Sequence, residues 1–449
     1  MKSINPYTGK TIQTFTQFTP SQVSASITKA HKAYLSWRDT TFNERSQLMR
    51  AVGNVLRDNI DIYARTMTLE MGKPISQSKA EIEKCAWLCD YYAETAKDHL
   101  SPKTIKTDAS KSYVNFEPIG VVLAVMPWNY PFWQVFRFIV PALMAGNVGV
   151  LKHASNVMGC AEHIEAVFLN AGFPKHCFQN LPISSSKVEA IIRHKHIKAV
   201  TLTGSKPAGS MVASIASEEI KKSVLELGGS NALVVFKDAD INSTVQTCVQ
   251  ARFQNTGQSC IAGKRLLLHK SIEEEFLDKL KKEVIALKSG DPLEEDTYIG
   301  TMAREDLAEE LEEQLKVSVK EGAKILIGGK RTNAYFEPTI VTNVTPEMSI
   351  FKEETFGPVL SVTTFNTDEE AVDLVNQSDF GLGVSIFTNN NSKIEKLIPL
   401  FEDGAVFVNE LVKSDPRLPF GGTKISGYGR ELSEDGIKEF VNKKTVYIK

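Results

Sequence analysis

The chain has 449 residues, length for about two or three domains of ordinary size. Hydrophobic residues make up 42% and charged residues 24%, the balance of a globular protein with ample core; the net charge of −2 argues against a polybasic binder of nucleic acid or anionic membrane. No apolar run reaches the roughly 20 residues that a membrane-spanning helix needs. Met1-Lys2-Ser3-Ile4-Asn5-Pro6 leads into polar residues rather than the apolar core of a signal peptide, so a cytoplasmic location is expected. The six cysteines, Cys85, Cys89, Cys160, Cys177, Cys248 and Cys260, are scattered and read as free thiols. Cys85 and Cys89 read as one helix face rather than zinc ligands, and His194 and His196 as different faces of a helix; no metal is expected.

Up to about residue 95 the pattern is helical, with helices expected at 21–35, 44–71 and 81–100. The pattern changes near Thr104. Residues 104–118 alternate, and 120–126 form a short apolar run suited to a buried strand. Strands at 148–152, 197–203, 224–227 and 232–236 then alternate with helices at 156–171, 206–216 and 241–254, as in a doubly wound α/β sheet. A second α/β unit follows, with strands at 264–268, 323–327 and 405–408 and helices at 271–287 and 304–321. The strand-like stretch 443–448 pairs either with the 104–118 ribbon or with a neighbouring subunit.

Several stretches carry chemistry. In Phe253-Gln254-Asn255-Thr256-Gly257-Gln258-Ser259-Cys260, one cysteine follows small polar residues, and Lys264 and Arg265 lie close enough in sequence to favour a thiolate. Cys260 reads either as a nucleophile or as a small residue in a buried turn. Gly204-Ser205, between a strand and a helix, reads as a phosphate cradle or as a turn with an N-cap. Pro127-Trp128-Asn129-Tyr130-Pro131 closes a buried strand at its C-terminal end, where open α/β sheets bind ligands. Asn129 is placed there to donate an amide N–H to an oxyanion, or to bond its own loop. Glu226, amid apolar residues and glycines, reads as a general base with a pKa raised by desolvation, or as an ion-paired structural acid. Lys152, at a strand end, is a candidate for ribose or phosphate. A GxGxxG fingerprint after the first strand is absent.

Together these stretches resemble the aldehyde dehydrogenase superfamily from Asn5-Pro6 through Thr445. The marks are residues 127–131, 225–229 and 253–264, Glu353-Glu354-Thr355-Phe356-Gly357-Pro358, and Pro419-Phe420-Gly421-Gly422 with Ser426-Gly427-Tyr428-Gly429-Arg430-Glu431. The resemblance implies an aldehyde dehydrogenase-like α/β fold. A Rossmann-like NAD(P)-binding domain would take 1–98 and 119–228, an α/β catalytic domain 229–430, and a β oligomerisation flap 99–118 and 431–449. It implies Cys260 as nucleophile, Glu226 as general base and Asn129 as oxyanion-hole amide. It implies cofactor contacts from Trp128, Lys152, Ser155, Gly204, Ser205, Leu227, Glu354 and Phe356. Aldehyde would become thiohemiacetal, thioester and then carboxylic acid, with hydride passing to NAD or NADP. A homodimer or homotetramer, with no nucleic-acid or membrane partner, is implied as well.

Two departures from the family pattern matter. Leu151-Lys152-His153-Ala154-Ser155 stands where Lys-Pro-x-Glu is commoner, so no carboxylate at Ser155 repels a 2′-phosphate, and NADP should be tolerated. Ser230 follows Gly229 where Lys is commoner. Residues 128–137 look most like bacterial NAD(P)-linked succinate-semialdehyde dehydrogenases. That likeness makes Arg137, with Trp133, the expected substrate contact, since a guanidinium suits a carboxylate bidentately; the other reading is pairing with a structural acid. A second arginine of some relatives falls at Gln254, leaving Lys413 or Arg417 to substitute. Another small aliphatic or ω-carboxy aldehyde is the alternative substrate. A thiol hydrolase fails to explain Lys152, Glu354 and Phe356, and a non-catalytic relative fails to explain Cys260, Glu226 and Asn129 together.

Overall fold

A computed structural model describes residues 1–449. After a short hairpin of Lys2–Ile4 and Thr11–Thr14, two helices begin where a capping signal and an apolar stripe coincide. Thr19 and Gln22 form a capping box with Pro20 in the first turn of Pro20–Trp37, and Thr41 and Glu44 form another at the head of Phe42–Asp58. The single helix expected over 44–71 is in fact two, because the chain leaves helical geometry at Asn59 before Ile60–Met71 begins. Gly72, at φ 75°, ends that second helix, and the long helix Ile75–His99 follows. Cys85 and Cys89 are buried on its inner face. No helix is long and apolar enough to cross a membrane.

The six-stranded sheet runs in the order Gly427–Tyr428, Lys222–Glu226, Ile197–Thr203, Val121–Met126, Val148–His153, Phe178–Asn180, and only the first strand is antiparallel. Val121–Met126 lies in the middle and is apolar throughout, as a strand covered on both faces requires. Strand order reverses between it and Ile197–Thr203, so a crevice opens beyond Met126 and Thr203. The seven-stranded sheet runs Lys324–Ile327, Thr339–Thr342, Val359–Phe365, Gly263–His269, Asn231–Val235, Val384–Phe387, Val406–Val408, parallel except at Lys324–Ile327. A three-stranded antiparallel sheet joins Val441–Ile448, Lys111–Pro118 and Lys103–Thr104. The C-terminal strand therefore pairs with the ribbon, from Val441 opposite Pro118 to Ile448 opposite Lys111. Leu432, Ile437 and Phe440, just before that strand, pack into the core around the first sheet.

The helix Trp133–Met144 is invisible to periodicity because every residue in it is buried, so it has no polar face. Thr339–Thr342, Val359–Phe365, Asp368–Asn376 and Val384–Phe387 likewise add elements the sequence pattern did not separate. His194 and His196 lie in turns and not on a helix; the His196 ring stacks on His31 at 3.9 Å.

Candidate active site

Two cavities meet at Cys260 and Gln134. One, of about 1140 Å³, occupies the crevice beyond Met126 and Thr203 and is walled by Trp128, Asn129, Thr203, Gly204, Ser205, Leu227, Glu354 and Phe356. The other, of about 860 Å³, is walled by Tyr130, Trp133, Arg137, Gln254, Ser259 and Phe420, among others. Cys260 is the half-buried thiol between them, and the other five cysteines are fully buried.

The loop carrying Cys260 is held in an unusual backbone. Asn255, Thr256 and Gly257 take φ of 54°, 53° and 71° in succession, and a left-handed Thr is strained because its Cβ is branched. A Cβ on Gly257 would lie 2.4 Å from the Gly357 carbonyl oxygen, so only glycine lets the loop approach there. Asn255, not anticipated as a site residue, bonds the two loops together. Its Nδ2 donates to the carbonyls of Asn129 at 2.8 Å and Gln258 at 3.0 Å, and its N–H donates to Gln77 Oε1 at 2.7 Å. Its only sequence signal was a place in the nucleophile stretch. Asn129 donates its own Nδ2 to the Gln258 carbonyl at 3.2 Å, which aims the amide beside Cys260.

The charge around Cys260 differs from the expectation. Arg265 faces away: its guanidinium donates to the carbonyls of Ser230, Leu374 and Val375. Lys264 Nζ donates to the carbonyls of Ser259 and Cys260, both at 2.8 Å, and to Glu354 Oε1 at 3.0 Å. Burial pushes the Cys260 thiol up to about 11 despite the opposing charges of Arg137 and Lys264. Glu226 sits behind the thiol, 2% exposed, with neither oxygen hydrogen-bonded and Gly421 against it. Burial, then the neighbouring Glu431 carboxylate, holds its pKa well above the usual range, while Arg137 opposes the rise. It lines neither cavity.

Arg137 is placed where either of its two readings could hold. It lines the smaller cavity, stacks over Phe420 at 4.5 Å, and places Nε 2.8 Å from Glu431 Oε2. Trp133 and Gln254 line the same cavity, as does Lys413, whose ammonium is paired to Glu410 at 2.7 Å. Arg417 stays outside, paired to Asp415 at 2.7 Å and lying over the Trp87 ring, and cannot replace the missing arginine.

The residues around the larger cavity suit a dinucleotide. Gly204-Ser205 precedes the helix Lys206–Glu218, whose N-cap Ser205 makes no side-chain capping bond, so first-turn N–H groups point free towards the crevice. Thr203 Oγ1 is buried there without a partner. Trp128 and Phe356 meet edge-on at 5.7 Å and form an aromatic wall. Glu354 accepts from the Gly229 N–H and from Lys264 through Oε1, which leaves Oε2 beside Gly228. Lys152 and Ser155 line a third cavity instead, of about 1740 Å³, against Arg304 and Glu305. The helix Glu305–Lys320 links the two: Glu305 and Asp306 border the third cavity, and Leu307, Glu310 and Gln314 border the larger of the first two.

A half-buried thiol, a buried carboxyl and a crevice at the switch point of a doubly wound sheet are an arrangement suited to a dinucleotide-dependent oxidoreductase. The model of the aldehyde dehydrogenase family matches residues 1–446. A probable succinate-semialdehyde dehydrogenase (NADP+) of Synechocystis sp. is 47% identical over 449 residues, 99% of each chain. Succinate-semialdehyde dehydrogenase (NADP+) 1 of Mycobacterium tuberculosis is 46% identical over 452 residues, again 99% of each. The crystal structure of succinic semialdehyde dehydrogenase from Streptococcus pyogenes, with NADP+ as the cofactor, superposes with a TM-score of 0.97 at 35% identity, over 100% of this chain and 99% of that one. The chain belongs to the aldehyde dehydrogenase family and has its fold.

Proposed function

We propose that this chain oxidises succinate semialdehyde to succinate with NADP, the substrate and cofactor in the names of the two relatives above. One observation carries the substrate reading: the Arg137 guanidinium and the Cys260 thiol line the same cavity, so an aldehyde carbon and a carboxylate can be held together. The Cys260 thiolate attacks the aldehyde, and the Asn129 amide holds the resulting oxyanion. When bound, the nicotinamide supplies the hydride acceptor, and Gly204, Ser205, Trp128, Leu227, Glu354 and Phe356 are the residues to position it. Lys152 and Ser155 hold the adenosine end. Glu226, once deprotonated, takes a proton from the water that hydrolyses the Cys260 thioester. The division of labour puts cofactor binding on 1–98 and 119–228, catalysis on 229–430, and subunit contact on 99–118 and 431–449.

The test compares kcat/KM for succinate semialdehyde and butanal in the wild type and in Arg137→Ala. Losing one partner of a desolvated charge pair costs about 2 kcal/mol at the low end, or roughly thirtyfold. A further loss common to both aldehydes is expected, because Glu431 is left without its partner. The excess loss on the semialdehyde measures the carboxylate contact. Equal losses would leave Arg137 a support for Glu431 alone.

A further inference from the structure

We propose that Lys84 is a specificity-determining residue of the aldehyde cavity: its ammonium is the uncompensated positive charge that a carboxylate on the substrate neutralises. This rests on the substrate reading above and adds a residue to it. Gln77, Ala80, Glu81 and Lys84 all line the cavity. They fall at i, i+3, i+4 and i+7 of the helix Ile75–His99, so one face of that helix forms the wall.

The other charges of the cavity are already spoken for. Arg137 has Glu431 at 2.8 Å and Lys413 has Glu410 at 2.7 Å. Glu81 is bonded to Lys73 and accepts from the N–H groups of Phe132 and Trp133. Asp415, the nearest acid on the facing loop, is taken by Arg417 at 2.7 Å. Lys84 has no ion pair. Its Nζ donates to Ser414 Oγ at 3.0 Å and sits 4.3 Å above the centre of the Trp133 ring, and Trp133 Nε1 donates to the same Ser414 oxygen at 2.9 Å. The indole and Ser414 thus hold the ammonium in place while leaving it short of negative charge. Lys84 is half-buried; a partly desolvated cation without an anion carries a cost, and a ligand that supplies the anion recovers it. A neutral aldehyde of equal length recovers nothing. Arg137 then contributes geometry, and Lys84 the net charge.

The groups facing Lys84 fix how the preference changes with pH. Burial, then Arg137 on the helix Trp133–Met144, brings its pKa down to about 8; Cys85 and Glu81 on its own helix and Asp415 across the cavity oppose this. The cation is present below that value and lost above it. Assays at saturating NADP across pH 6.5–9.5, with succinate semialdehyde and butanal, read the ratio of the two kcat/KM values. Ionisation of Cys260 and Glu226 affects both aldehydes and cancels. The wild-type ratio should be flat below pH about 8 and fall about tenfold by pH 9.5. Lys84→Met should lower the ratio about thirtyfold at pH 7 and abolish its pH dependence, and Lys84→Arg should keep a high ratio with no fall above pH 8. A wild-type preference that survives Lys84→Met, or a wild-type ratio flat to pH 9.5, overturns the role of Lys84 and leaves the substrate reading standing. A wild-type enzyme indifferent to the carboxylate overturns both. The wild-type pH series decides the matter even where the methionine variant fails to fold.

Discussion

Behind Cys260, Glu226 and Glu431 share a buried space, with Arg137 paired to Glu431 and Arg430 also acting on Glu226. Two carboxylates so placed do not both ionise easily, and the pair titrates as a unit. Glu226 therefore keeps its proton to higher pH than an ordinary carboxyl and becomes a base as pH rises through its raised pKa. The Cys260 thiol is raised too, to about 11, so the attacking thiolate also grows with pH. Oxidation of a neutral aldehyde should consequently accelerate from pH 6.5 to 9. Glu226→Gln should slow thioester hydrolysis by about a hundredfold, the lower end for a lost general base, while leaving hydride transfer much faster. A stopped-flow burst of one reduced cofactor per site is the signature. If burst and steady state fell together, Glu226 would act before hydride transfer and not after it.

At the scale of elements, the helix Trp133–Met144 sets both Gln134 and Arg137 in the cavities, and it begins at an ion pair. Glu81 receives the N–H groups of Phe132 and Trp133, both at 2.9 Å, where a helix N-terminus lacks acceptors of its own. Lys73, buried after the Gly72 turn, neutralises that carboxylate and lies 3.7 Å above the Tyr130 ring. Removing one member of a buried pair strands the other, at about 3–5 kcal/mol. Lys73→Met should lower the urea unfolding free energy by that amount. Adding Glu81→Gln in the same chain should recover part of the loss. Simple additivity of the two single losses would show that the ion pair is not the unit of stability there.

At the scale of the molecule, the cofactor reading needs two cavities joined along one helix. Glu305–Lys320 passes from the space at Lys152 and Ser155 to the space at Gly204 and Glu354. If the adenosine end lies at the former, a carboxylate at 155 meets the 2′-phosphate of NADP directly. Ser155→Glu should lower the ratio of kcat/KM with NADP to that with NAD by about tenfold or more, equivalent to about 1.4 kcal/mol. An unchanged ratio would put the 2′-phosphate elsewhere.

The sequence by itself determined the elements whose cause is local. Apolar residues at helical spacing marked the first helix at 21–35 and the start of the second at 44, and Ile197–Thr203 was legible to the residue because a short apolar run between turns admits little else. The motifs around Cys260, Glu226 and Glu354 were legible too, through family resemblance, since short stretches with fixed chemistry survive without long-range information. Three things needed the tertiary structure. The helix Trp133–Met144 has no polar face, so periodicity had nothing to register. Only one of the two charges near Cys260 in sequence is near it in space: Lys264 bonds the Cys260 carbonyl, Arg265 turns to other backbone carbonyls, and Arg137, far along the chain, acts on the thiol. Lys84 was one more lysine on an amphipathic helix until Trp133 and Ser414 were brought against it. Coulomb energy depends on distance and burial rather than on order in the chain, and only the packed fold specifies those.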